Sequence, residues 1–107
     1  MVLYSIFLAT FLGPVFEEIF FRGFCYPILK KQFGIKTAMV LTAVFFALIH
    51  ENTFSFWPIF LLGLALVYLF EKRGSLLAPM ALHIVHNSLF IAYFFFAKNL
   101  IFRESGV

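Results

Sequence analysis

Charge is what this sequence has least of. Charged residues fill 12% of its 107 positions, 64% are hydrophobic, and the mean hydropathy is +1.03. A soluble domain typically carries about twice that fraction of charge. Phenylalanine alone occurs 18 times, far more than a small water-soluble core buries. These features exclude a soluble globule and point to an integral, multi-pass membrane protein in the lipid bilayer (the cell membrane if bacterial). Cysteine is nearly absent. Cys25 stands alone, so no internal disulfide exists and the redox compartment is unmarked. The net charge of +3 is too small and too scattered for a nucleic-acid partner. There is no repeat and no low-complexity tail. The start, MVLYSIFLATFLGP, lacks the basic n-region of a cleaved signal and runs into further apolar sequence. Residues 1–107 therefore read as one transmembrane domain, the core of a larger membrane protein that lacks its upstream helices.

At roughly 20 residues per crossing plus short loops, about four helices fit this length. The expected fold is all-α, a polytopic transmembrane helical bundle. Breakers and charge-free runs predict a first helix over Val2–Leu29, kinked or restarted at Gly13-Pro14, where proline removes a backbone donor. A second helix is predicted over Thr37–His50, a third over Pro58–Phe70 and a fourth over Leu76–Ala97. Lys30, Lys31 and Lys36 flank Gly34 in the first loop, Glu51 to Pro58 forms the second, and Glu71-Lys72-Arg73-Gly74 the third. The first and third loops are basic and lie on one side of an up-down bundle. The positive-inside rule assigns them to the cytoplasm and both termini to the opposite side.

Polar residues are costly in such surroundings and are usually functional. The first helix carries Glu17, Glu18 and Arg22, the second ends at His50, and the fourth carries His83, His86 and Asn87. At a rise of ~1.5 Å per residue, Glu17 lies about 20 Å from Lys30 and His50 about 21 Å from Lys36. On the same rise His83 is about 15 Å and Asn87 about 21 Å from Arg73. Three helices thus bring their costly groups to roughly one layer. Glu18 and Arg22 are four apart and share a face, so they pair. Glu17 is turned by about 100° and stays free to face His50. His83 and Asn87 are likewise four apart.

Each of these residues also has a plain structural reading. Glu18 and Arg22 form an ion pair that locks the bundle, and Glu17 is a protonated, hydrogen-bonded carboxyl, since burial favours its neutral form. His50 is an interfacial, solvated histidine beside Glu51 and Asn52. His83 and Asn87 are interhelical hydrogen-bond glue, and Cys25 is a small apolar residue. Two chemistries suit one glutamate and two histidines in a buried layer. In one, a carboxylate and an imidazole deprotonate water while His and Asn donors stabilise an oxyanion. In the other, the residues hold zinc and the metal activates the water. The helical zinc-protease signature has two histidines four apart, and "HENTF" has Phe54 in the second place. His83 and His86, three apart, still offer metal ligands with a glutamate, so zinc stays an alternative that the spacing does not support, and no cofactor is expected. A non-enzymatic alternative is a transporter or proton-relay fragment that uses the buried Glu and His residues.

Three motifs in order, "EEIFFR" (Glu17 to Arg22), "FALIH" (Phe46 to His50) and "HIVHN" (His83 to Asn87), resemble the EExxxR, FxxxH and HxxxN/B signatures of the CPBP family. These are the CAAX proteases and bacteriocin-processing enzymes, also called the Abi family. The likeness covers about Gly13 to Ser88. It implies an intramembrane endopeptidase of the glutamic type acting on a peptide or protein substrate, a lipidated one for CAAX proteins. By motif position, Glu17 and His50 activate the water, His83 and Asn87 form the oxyanion hole, and Glu18 and Arg22 support the site. The family has long been described as metal-dependent. It also implies that the substrate is either a prenylated CAAX protein or a peptide in bacteriocin maturation and self-immunity. CAAX substrates are cytosolic, whereas the depth estimate puts the polar layer nearer the face opposite the basic loops. The motifs outweigh the orientation rule here.

Overall fold

The computed structural model describes residues 2–50 and 56–104. Among them are four helices and no strand: α1 (Val2–Phe33), α2 (Ile35–Ile49), α3 (Phe56–Arg73) and α4 (Leu77–Glu104). The molecule is elongated, 57 × 25 × 21 Å. Two helices, Val2–Phe33 and Leu77–Arg103, are long and apolar enough to cross a membrane. Large side chains such as Phe16, Phe24, Trp57, Leu89 and Phe96 point outward and are exposed, an arrangement suited to lipid rather than water.

The helices run longer than the sequence predicts, and the loops are correspondingly shorter. As predicted, the first helix is interrupted before Gly13-Pro14: a π-turn covers Leu8–Leu12, with the Gly13 N–H closing onto Leu8 O, and regular α-helix resumes at Gly13 with Pro14 in its first turn. A second π-turn covers Phe21–Cys25. The predicted first loop shrinks to Gly34, whose φ of +88° only glycine adopts cheaply. It reverses the chain in one residue, so Lys30 and Lys31 sit in the last turn of α1 and Lys36 in the first turn of α2. At the third loop, Gly74 takes φ +65°, and Ser75 Oγ accepts the Leu77 N–H at 3.1 Å to start α4. The predicted second loop at 51–55 lies outside the described residues.

Packing is tight where side chains are small. A Cβ on Gly63 of α3 would stand 3.3 Å from Ala43 Cα and 3.2 Å from Phe46 Cδ2 of α2. Ala38, Ala43 and Ala47 of α2 are buried, so small residues let these two backbones approach closely. Phe21, Phe46 and Leu66 form one core cluster, and Tyr26, Ala38 and Val67 another. By contrast, Pro79 and His83 are the buried residues of α4 among those described.

The two basic turns lie at one end of the bundle, tied by Glu71. Its carboxylate accepts from Lys30 Nζ at 2.8 and 2.9 Å and from the Tyr26 hydroxyl at 2.7 Å. Those donors, Lys30 first, hold the Glu71 carboxyl below the usual carboxylate range. A carboxyl depressed on folding stabilises the fold above its unfolded value, about 4.3, and loses that contribution as pH falls through the folded value. Glu71→Gln is expected to lose roughly 1 kcal/mol at pH 7, since Lys30 is 42% exposed and solvent screens the pair. The difference from wild type should shrink between pH 7 and pH 3. Thermal unfolding in detergent at the two pH values checks this, and an equal deficit at both would refute the charge assignment.

Candidate active site

Arg22 sits at the centre of the polar layer and is fully buried. The guanidinium Nη1 lies 3.4 Å from Glu18 Oε1, one helical turn back, as the four-residue spacing predicts. Its Nη2 donates to Gly63 O of α3 at 2.9 Å. The Phe46 ring lies 4.6 Å from the guanidinium carbon, a cation–π contact from α2. One side chain of α1 therefore grips both α2 and α3.

The same Glu18 Oε1 meets His83 Nδ1 of α4 at 2.9 Å. Glu18 is 0% exposed and His83 1%. An anionic carboxylate only accepts, so Nδ1 carries the proton and Nε2 is the nitrogen turned the other way. There it stands 3.2 Å from Glu17 Oε2. That carboxylate oxygen makes no aligned hydrogen bond, while the Glu17 side chain remains 36% exposed. The adjacent glutamates thus flank one imidazole. Glu18 is sequestered and ion-paired, and Glu17 is accessible.

His50 and Asn87 sit in different circumstances. His50 occupies the C-cap of α2, exposed, with Nδ1 2.7 Å from Phe46 O. A carbonyl accepts only, so this nitrogen holds the proton and Nε2 is basic. The expected approach of Glu17 to His50 is not what α1 presents, because its carboxylate faces His83. Asn87 Nδ2 donates to Ala9 O of α1 at 3.1 Å, and its Oδ1 lies 3.4 Å from His86 Nδ1. A cavity of about 420 Å³ is lined by His50, His83, His86, Asn87 and apolar residues including Phe46 and Leu62. It gathers the three histidines and the asparagine singled out in the sequence, with the Glu17 carboxylate adjoining it through His83.

Phe46, Gly63 and Ala9 belong to this site and were not singled out for it by sequence reasoning. Phe46 touches Arg22, His50 and His83, with ring centroids 4.8 Å from His50 and 5.6 Å from His83. Its place in "FALIH" was a signal. Gly63 was visible as a glycine inside an apolar helix, but Ala9 left no trace. Zinc requires three or four converging ligands; among the described residues no three of His, Cys, Asp and Glu form such a group. Both His83 nitrogens already face carboxylates.

The family described as type II CAAX prenyl endopeptidase, Rce1-like, matches residues 1–89 of this chain. No curated protein and no solved structure gives a match.

The unequal burial of the two glutamates sets their effect on stability. Glu18→Leu strands a buried guanidinium, which costs about 3–5 kcal/mol, whereas Glu17→Gln, which leaves the Glu18–Arg22 pair intact, should cost clearly less. Unfolding midpoints in one detergent rank the two. Equal loss from both would overturn the division.

Proposed function

Since the chain belongs to the Rce1-like family of type II CAAX prenyl endopeptidases, a family of membrane-embedded proteases, we propose that it hydrolyses a peptide bond by direct activation of water at Glu17, with no resident metal. The observation carrying this reading is the His83 imidazole held between a sequestered and an accessible carboxylate. With Glu17 and Glu18 ionised, Arg22 and a doubly protonated His83 bring the four groups to zero net charge, which low-dielectric surroundings favour. In that state Glu17 is a base, and His83 Nε2–H is a donor beside it, on the nitrogen that faces Glu17 Oε2.

Glu17 takes a proton from a water, and the hydroxide oxygen attacks the scissile carbonyl carbon. His50, with Nδ1 tied to Phe46 O, offers basic Nε2 to orient that water. The carbonyl oxygen becomes an oxyanion, met by His83 Nε2–H and by the Asn87 amide proton that Ala9 O does not use. The C–N bond then breaks, and the proton held by Glu17 passes to the leaving amine. Arg22 positions Glu18, and Glu18 positions His83, without touching the reacting atoms. The substrate is a peptide or protein segment, with a prenylated C-terminal sequence as the family description suggests. All four helices cross the bilayer in this reading.

Asn87→Leu approximates the volume of Asn and removes the donor. Losing one oxyanion donor typically costs about 10²–10³ in turnover, with peptide binding near normal. Glu17→Gln removes the base and should abolish cleavage. Turnover on one cleavable prenylated peptide, with binding measured separately, checks both. Near-wild-type cleavage by Glu17→Gln would sink the mechanism.

Metal content offers a further check. Purified active enzyme should carry substoichiometric zinc and keep its activity through chelation. Stoichiometric zinc, with loss on chelation and recovery on re-addition, would refute direct activation.

A further inference from the structure

Asn87 owes its position to a carbonyl that an ordinary helix would not offer. In an α-helix Ala9 O accepts the N–H four residues on, which belongs to Gly13. Here the Gly13 N–H closes onto Leu8 O instead. In that wide closure the next donor, for Ala9 O, would be residue 14, and Pro14 has no N–H; its ring also crowds the carbonyl four residues back, that of Thr10, and opposes the regular closure. Ala9 O is passed over by its own helix and takes the Asn87 side chain from α4. Gly13 is equally constrained, since a Cβ there would stand 2.9 Å from Leu8 O, closer than real Cβ atoms approach. Glycine allows the wide closure and proline opposes the regular one. Pro14 is fully buried, so its ring is held in place.

We infer that Gly13 and Pro14 act together as positioning residues for Asn87: they keep Ala9 O free of its own helix, and Ala9 O fixes the asparagine amide beside the cavity. The contact of α1 with α4 at this level is then part of the reaction geometry and not only of the packing. The functional half of this inference rests on the oxyanion role of Asn87 proposed above; the structural half does not. Either substitution, Gly13→Ala or Pro14→Ala, shifts the Gly13 N–H towards Ala9 O and displaces Asn87.

Two readouts separate the halves. The chain has three asparagines, Asn52, Asn87 and Asn99, so selective ¹⁵N-asparagine labelling in detergent gives few side-chain amide signals, with Asn87 assigned through Asn87→Gln. Gly13→Ala and Pro14→Ala are each expected to move the Asn87 signal and speed its hydrogen exchange, leaving Asn99 in place. Pro14→Val, which fills more of the buried site, serves if the alanine variant fails to fold. Turnover should fall about tenfold to a hundredfold, as for a misplaced catalytic group, mainly in kcat with KM little changed. In an Asn87→Leu background the same substitutions should cost nothing more. An unmoved Asn87 signal in folded variants overturns the positioning. A moved signal with unchanged turnover, or losses that multiply in the double variants, overturns its role in the reaction. Normal cleavage by Asn87→Leu alone defeats the oxyanion reading, while the amide signal still decides the structural half.

Discussion

Arg22 is the constraint on which the bundle depends. A guanidinium buried in apolar surroundings is tolerable only when its charge is answered. Glu18 and the Phe46 ring answer the charge, and Gly63 O accepts from Nη2, from three directions. Each partner comes from a different helix or turn, so satisfying one side chain sets the mutual placement of α1, α2 and α3. The close approach at Gly63 follows from the same demand, since any side chain there would push α3 away from Ala43 and Phe46.

The demand passes on to α4 through Glu18. His83 is the deepest side chain α4 sends into the bundle along with Pro79, and its anchor is the carboxylate that Arg22 holds. Much of the remainder of α4 is apolar and outward, including Phe90, Tyr93 and Phe94, and Asn87 adds a second polar contact, to Ala9 O of α1. A helix held by two polar contacts, at His83 and Asn87, is placed by hydrogen-bond geometry more than by surface burial. That suits a site whose reacting groups must be set relative to one another. It also explains why one imidazole meets both glutamates: Glu18 is turned in towards Arg22, and Glu17, one position back on the helix, emerges on the accessible side.

Much of this is legible in the sequence alone. The paucity of charge set a membrane class, and punctuation by Gly34 and Gly74 divided the chain near the observed turns. The four-residue spacing paired Glu18 with Arg22, and equal depth along antiparallel helices gathered the polar residues into one layer. These inferences rest on periodicity and rise per residue, which a helix imposes whatever it packs against. Helix ends were less legible. Lys30, Lys31, Lys36 and Lys72 look like loop residues in an apolar chain, yet long side chains carry their charge outward from a helical turn, so the helices continue through them.

What the sequence by itself determined is the kind of molecule, the order of its helices and the face each polar residue occupies, because composition and helical periodicity are local properties. What only the tertiary structure decided is which partner each group meets. Glu17 was expected to turn to His50 and lies against His83. The backbone carbonyls of Gly63 and Ala9 became partners of Arg22 and Asn87, and Phe46 came to touch three of the polar residues. Backbone carbonyls are the same at every position, and an aromatic ring looks alike in core and site. Their roles exist only once helices distant in sequence are brought within hydrogen-bond reach.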